Sequence, residues 1–141
     1  MAQNSPNTPR LDASEGYAGV LVAAAAADGV VTEREALDLV AALSRQALFD
    51  GLPEKQLRAM LQKLGALARE HGSAALVAMA APSVPADLRE TAFANAVDLV
   101  MSDDQVTPAE TEWLRKAQAA LGVRDDRAAR ITEVIRIKNF G

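Results

Sequence analysis

Apolar side chains recur every three or four residues along most of the chain, the spacing that places them on one face of an α-helix. The clearest stripe consists of Leu57, Met60, Leu61, Leu64, Leu67 and Ala68. No segment alternates apolar and polar residues for long enough to indicate a β-strand. The pattern therefore predicts an all-α fold.

Turn signals divide this pattern into about seven helical segments. We therefore predict a compact bundle of about seven helices with short connections. Gly51 is predicted to end the second helix, which reaches Leu48, and Pro53 to open the third. Gly72 is predicted to end the third helix, and Ser73 to cap a short fourth one. A sixth helix is predicted over 108–121, where Gly122 ends it, and a seventh around 128–135.

Length and composition fit one helical domain. The chain has 141 residues, of which 50% are hydrophobic but only 4% are aromatic. The polar, proline-containing segment 1–13 is predicted to be a flexible N-terminal tail, and 14–141 a single all-helical domain. The Ala-rich first helix is predicted to be a thin central helix on which its neighbours pack closely.

Composition also excludes several classes of function. The chain has no cysteine, so disulfides and thiolate metal sites are excluded, which fits a reducing cytoplasm. A net charge of −4 argues against nucleic-acid binding, which depends on phosphate neutralisation. The longest small-apolar run, 19–27, is too short for a membrane span of roughly 20 residues. We therefore expect a soluble cytoplasmic protein. The C-terminal third is basic, so binding to an acidic partner or peripheral docking on anionic lipid stays open.

One acidic pattern occurs twice along the chain. Residues 24–37 read AAAADGVVTEREAL and residues 101–114 read MSDDQVTPAETEWL. In order, Asp28, Val31, Thr32, Glu35 and Leu39 correspond to Asp103, Val106, Thr107, Glu110 and Leu114. The helix–turn–helix units that contain them, about 15–50 and 86–122, predict an internal pseudo-twofold repeat.

Helix capping explains part of this pattern. Thr32 and Glu35 have the spacing of a capping box, in which the hydroxyl accepts from the N3 amide and the Glu carboxylate accepts from the cap amide. Thr107 and Glu110 repeat that spacing, and Pro108 suits the first helical position. Both turns are therefore predicted to start a helix.

The capping boxes leave Asp28 and Asp103 unexplained, because each follows a helix whose dipole disfavours a carboxylate there. A local hydrogen bond in the turn, the positive end of the next helix, or a bound cation would offset this. The predicted metal ligands, for Ca²⁺ or Mg²⁺, are Asp28, Glu35, Asp103, Asp104 and Glu110. On the residues alone capping without metal is favoured, because neither turn has the spacing of an EF-hand.

The remaining candidate residues point to structural roles. His71 lies in the last turn of a predicted helix, where a cation suits the dipole. Trp113 is predicted to be a packing anchor of the bundle. The chain has no phosphate-binding glycine loop. We predict no catalytic residue. A metal-dependent hydrolase would need a concave pocket between the two turns, and the sequence offers no base other than the acids of those turns.

Taken together, the turn AAADGVVTEREAL, its echo MSDDQVTPAETEWL, the helical pattern and the ending VIRIKNFG resemble the tellurite-resistance TerB-like family over about residues 15–138. The resemblance implies a compact seven-helix domain with internal twofold similarity. It also implies an association with bacterial resistance to tellurite and other stress, divalent-metal binding through the two turns, and no catalysis. By position, the family's acidic residues match Asp28, Glu35, Asp103 and Glu110. Gly29 matches the usual glycine, and Asp104 departs from it.

We therefore expect a non-enzymatic stress-response module that presents a surface to a protein partner, with a divalent ion linking the two turns. The alternative is a purely structural protein-interaction domain without metal, in which the acidic turns serve only as helix caps.

Overall fold

A computed structural model of the chain describes residues 11–27, 31–101 and 106–140. Within these ranges the chain is helical, with no β-strand, so the predicted all-α fold is confirmed. The α-helices are α1 (Ala13–Ala25), α2 (Glu33–Ser44), α3 (Glu54–His71), α4 (Ser73–Ala80), α5 (Arg89–Val100), α6 (Pro108–Leu121) and α7 (Asp125–Phe140). Short 3-10 helices lie at Ala47–Phe49, Ala81–Ser83 and Ala86–Leu88.

Helix α1 is the centre of the bundle, as its Ala-rich composition predicted. Every residue from Gly16 to Ala25 is buried, and α3, α4 and α5 pack around it. A Cβ atom built on Gly16 would lie 2.7 Å from the Ser83 Cβ, and one built on Gly19 would lie 2.9 Å from the Ala80 Cβ. Small side chains on α1 therefore let α4 approach its backbone closely.

The start of α1 is fixed by a capping box. The Asp12 carboxylate accepts from the Glu15 amide at 2.8 Å, and Glu15 accepts from the Asp12 amide at 3.1 Å. Leu11 packs against the core, and its carbonyl accepts from the Ser83 hydroxyl at 2.6 Å. Residues 1–10 of the predicted tail lie outside the described residues, and the described chain is already anchored at Leu11.

Two predicted helix boundaries differ from the structure. Helix α2 ends at Ser44 instead of reaching Leu48, and the chain continues as a 3-10 helix that buries Phe49. The Phe49 ring packs edge-on against Tyr17, with the ring centroids 6.1 Å apart. Helix α3 begins at Glu54, one position later than predicted, because Pro53 is its N-cap and not its first helical residue. The tertiary contact of Phe49 thus overrides a helical pattern that continues in the sequence.

The junction between α3 and α4 also differs from the prediction. Ser73 is the first residue of α4 and makes no capping hydrogen bond, because the cap position is taken by Gly72. Gly72 has φ +92°, a conformation that side-chain-bearing residues rarely adopt, so one residue ends α3 and begins α4. By contrast, Gly122 ends α6 in the left-handed conformation at φ +69°, as predicted.

Candidate functional site

Both predicted capping boxes are present at the acidic turns. The Thr32 hydroxyl accepts from the Glu35 amide at 3.1 Å, and Glu35 Oε1 accepts from the Thr32 amide at 2.8 Å. At the second turn, the Thr107 hydroxyl accepts from the Glu110 amide at 3.1 Å, and Glu110 Oε1 accepts from the Thr107 amide at 2.9 Å. One carboxylate oxygen of each glutamate is thereby held at a helix start.

The other carboxylate oxygen of each glutamate has no hydrogen-bond or ion-pair partner among the described residues. Glu110 is only 7% exposed and is the one charged residue in the buried part of the described chain. Glu35 and Glu110 each keep an oxygen that the described protein groups do not use.

The capping box of α1 provides an internal comparison. The spacing of Asp12 and Glu15 in the sequence matches a capping box, but this third box was not among those predicted. Glu15 Oε2 pairs with Lys63 Nζ at 2.6 Å. Burial acts to raise the pKa of Glu15, but the hydrogen bonds from Lys63 and the Asp12 amide outweigh it, and the pKa is lowered. The charge of this glutamate is thus balanced within the protein, unlike those of Glu35 and Glu110 in the described chain.

The described residues on either side of the first acidic turn lie at the end of the bundle where α4 begins. Helices α1 and α4 run in opposite directions, because Gly16 near the start of α1 lies against Ser83, just beyond the end of α4. Consistently, Ala26 and Ala27 after α1 line the same cavity as Ser73 at the start of α4.

The start of α6, which follows the second acidic turn, lies at the same end. The Trp113 indole N–H in the first half of α6 donates to the Ser73 carbonyl at 3.2 Å. At the other end of α6, a Cβ on Gly122 would lie 3.9 Å from the Arg89 guanidinium, which donates to the Val84 carbonyl at 3.3 Å. Helix α6 therefore runs in the direction of α4, and its N-terminus lies at the end where α1 finishes.

The predicted metal ligands are described only in part. Glu35 and Glu110 are placed as N3 residues of capping boxes. Asp28, Asp103 and Asp104 lie outside the described residues, as does Gly29. Within 11–27, 31–101 and 106–140, no three His, Asp or Glu side chains form a group that could hold a metal ion. Metal binding at the two turns therefore stays a prediction.

Two further predictions concern Trp113 and the basic C-terminal third. Trp113 is 3% exposed and is a packing anchor, as predicted. In the basic third, Arg127 is partly exposed and forms a two-bond ion pair with Glu90 at 2.8 and 3.1 Å that ties α7 to α5. The Arg127 hydrogen bonds lower the pKa of Glu90. No helix in the described part of the chain is both long and apolar enough to cross a membrane.

The fold and the two capped turns define a class of small all-α domains with a repeated acidic helix–turn–helix unit. A family model described as Tellurite resistance protein TerB matches residues 14–133. The match covers most of the chain, so the chain belongs to the TerB family. No curated protein and no solved structure matches it in the corresponding comparisons.

Proposed function

We propose that the chain is a non-enzymatic stress-response domain of the tellurite-resistance type. In this proposal it binds a divalent cation through its two acidic turns and presents a surface to a protein partner. Family membership supports the general role. The observation that carries the metal proposal is the contrast between Glu15, which is neutralised by Lys63, and Glu35 and Glu110, which have no cationic partner among the described residues. The lack of cysteine suits a reducing compartment such as the cytoplasm.

The donor set fits a hard cation. Each turn offers the second carboxylate oxygen of a glutamate, Glu35 or Glu110, whose Oε1 is held by a capping box. Asp28, Asp103 and Asp104 precede these glutamates in the two turns and complete the proposed ligand set. Such all-oxygen donors select Ca²⁺ or Mg²⁺ rather than thiophilic metals. A bound ion would offset the repulsion among these carboxylates and fix the angle between the two helix pairs.

The position of the turns supports this role. Ala27 and the start of α6 lie at the same end of the bundle, where both are close to Ser73. An ion held by both turns would stabilise the folded chain without any catalytic step, because the ligands come together only on folding.

Thermal unfolding with and without ion tests the proposal. Ca²⁺ or Mg²⁺ at about 100 times its Kd should raise the free energy of unfolding by about 2.7 kcal/mol, and EDTA should reverse the gain. The double variant Asp28→Asn and Asp103→Asn should remove the gain. Asp12→Asn is the matched control, because it makes the same Asp-to-Asn change at the N-cap of α1, away from the two turns, where Asn also caps well. A wild-type melting temperature that does not respond to millimolar ion would rule the metal site out.

A second candidate is a structural protein-interaction domain without metal. It is favoured by the observation that Glu35 and Glu110 both use Oε1 to cap their helices, which accounts for these residues without an ion. This alternative predicts that Thr32→Ala costs about 1 kcal/mol. It also predicts the same loss in EDTA and in Ca²⁺, whereas an ion-linked turn predicts a larger loss in Ca²⁺.

A further inference from the structure

A groove runs along the surface between α2 and α3. It encloses about 310 Å³, and its apolar lining includes Val22, Val31, Leu37, Leu39, Val40 and Leu61. Leu37 is 47% exposed, which is unusual for a large apolar side chain. Helix α2 packs less extensively on its neighbours than α4 or α5 does, and the space beside it is not filled by the described chain.

The groove continues towards the start of α4. A second cavity of about 330 Å³ shares Val31, Gly65 and Arg69 with the first and extends to Ser73. Gly65 keeps the connection open, because a Cβ at this position would meet only the Arg69 Nη1, at 3.7 Å. The two cavities together form a trough that follows much of α3.

Among the described residues that line this trough, the charged side chains are all cationic, although the chain has a net charge of −4. Arg58 and Arg69 line it, and no described carboxylate does. The two arginines are three helical turns apart on α3, a distance of roughly 16 Å. Arg58 pairs with Glu54 at 2.8 Å, but both side chains are at least half exposed, so this pair contributes little and is readily exchanged. Arg69 has no ion-pair partner in the described chain.

We propose that this trough binds an amphipathic helix of a protein partner, with leucine-type side chains on one face and carboxylates along its edges. A surface groove between two helices accepts the apolar face of a third. The cationic α3 wall selects acidic flanks by charge complementarity.

Other occupants from this chain fit less well. The segment 1–10, MAQNSPNTPR, contains no acidic residue and few apolar ones. The exposed apolar side chains of α7, Val134 and Ile137, lie among three cations and one acid, so they would bring net positive charge to a positive wall. These charged residues are Arg130, Glu133, Arg136 and Lys138. An acidic amphipathic helix is thus the class of partner that the proposed function requires. This inference rests on the partner-binding part of that function and does not require the divalent ion.

A synthetic helix of about 14 residues, long enough to reach both arginines, provides the probe. It carries leucines at i, i+3, i+4 and i+7 with flanking glutamates, and a matched peptide carries lysines in place of the glutamates. Fluorescence anisotropy with the full chain should give binding of the glutamate peptide at least tenfold tighter than that of the lysine peptide. The difference should narrow as salt is raised. Glutamate-peptide binding that is absent at about 100 µM, or no tighter than lysine-peptide binding, would overturn the proposal.

Two variants locate the binding site. Gly65→Leu fills the trough where nothing else is close, so it should weaken binding at least tenfold without lowering the melting temperature. Arg58→Glu with Arg69→Glu should reverse the peptide preference. Arg115→Glu is the control, because Arg115 is a 74% exposed arginine on α6 outside the trough. If Gly65→Leu binds as tightly as the wild type, the trough is not the site. If Gly65→Leu instead dissociates a dimer of the free protein, the occupant is a second copy and the proposal is overturned.

The same titration is repeated in EDTA and in Ca²⁺. If the peptide binds but Ca²⁺ does not change the melting temperature, the trough is supported and the metal site is rejected. If Ca²⁺ raises the melting temperature but the peptide does not bind, the metal site is supported and the trough is rejected.

Discussion

Replacing Gly16 by alanine should destabilise the bundle, although glycine-to-alanine changes usually stabilise a helix. Alanine in a helix interior is favoured over glycine by about 1 kcal/mol. At Gly16, however, the new Cβ would lie 2.7 Å from the Ser83 Cβ and 2.9 Å from the Ala80 carbonyl oxygen. Contacts this short force the segment at Ala80–Ser83 to move away from α1.

The loss of stability in Gly16→Ala can be estimated from the contacts that the displaced segment makes. Overpacking in a well-packed core typically costs about 1–3 kcal/mol. Displacing Ser83 also weakens its 2.6 Å hydrogen bond to the Leu11 carbonyl, a further loss of about 1 kcal/mol. After the gain in helix propensity is subtracted, Gly16→Ala should lower the free energy of unfolding by about 1–3 kcal/mol. In a chain of this length that lowers the melting temperature by roughly 3–15 °C.

Gly65→Ala is the matched control, because it makes the same chemical change within α3. Only the Arg69 Nη1 lies near the new Cβ, at 3.7 Å, so the helix-propensity gain remains. This variant should gain about 0.5–1 kcal/mol. Thermal melts followed by circular dichroism compare the two variants with the wild type. Equal stabilisation by both alanines would refute the close packing of α1 against α4.

Two further predictions concern polar contacts between helices. The pKa of Glu15 is lowered from 4.5, so its ion pair with Lys63 stabilises the fold above the pKa of the unfolded state, and this stabilisation disappears as the pH falls through the lowered value. The stability difference between the wild type and Glu15→Gln, from urea unfolding, should therefore shrink on acidification; a constant difference would contradict the assignment. Trp113→Phe removes the indole donor to the Ser73 carbonyl and should cost about 1–3 kcal/mol. Because Trp113 is the only tryptophan, unfolding must be followed by circular dichroism, and a change within error of zero would count against its role as an anchor.

Features with local causes were predictable from the sequence. The period of apolar residues fixed the helical class, and the Thr–Glu spacing located both capping boxes, because these hydrogen bonds join residues three positions apart. Gly122 was identified as a helix end for the same reason. The all-α fold and the family membership, which rest on such local signals, are confirmed.

Features that depend on distant contacts were not predictable. The partner of Glu15 is Lys63 on another helix, and the partner of Arg127 is Glu90. The early end of α2 follows from burial of Phe49, which no local signal indicates. The trough beside α3 likewise depends on how α2 packs against α3, whereas the apolar stripe alone indicates only that such side chains share a face.

The central position of α1 affects how the chain reaches its folded state. The helix that the others surround is the first helix of the chain, yet its partners in α4 and α5 follow much later. The hydrogen bond from Asn95 to the Tyr17 hydroxyl, for example, joins residues 78 positions apart. During synthesis, α1 therefore emerges with its apolar surface exposed and stays so until α5 has left the ribosome. This interval is when the nascent chain is most prone to aggregation and most dependent on chaperones.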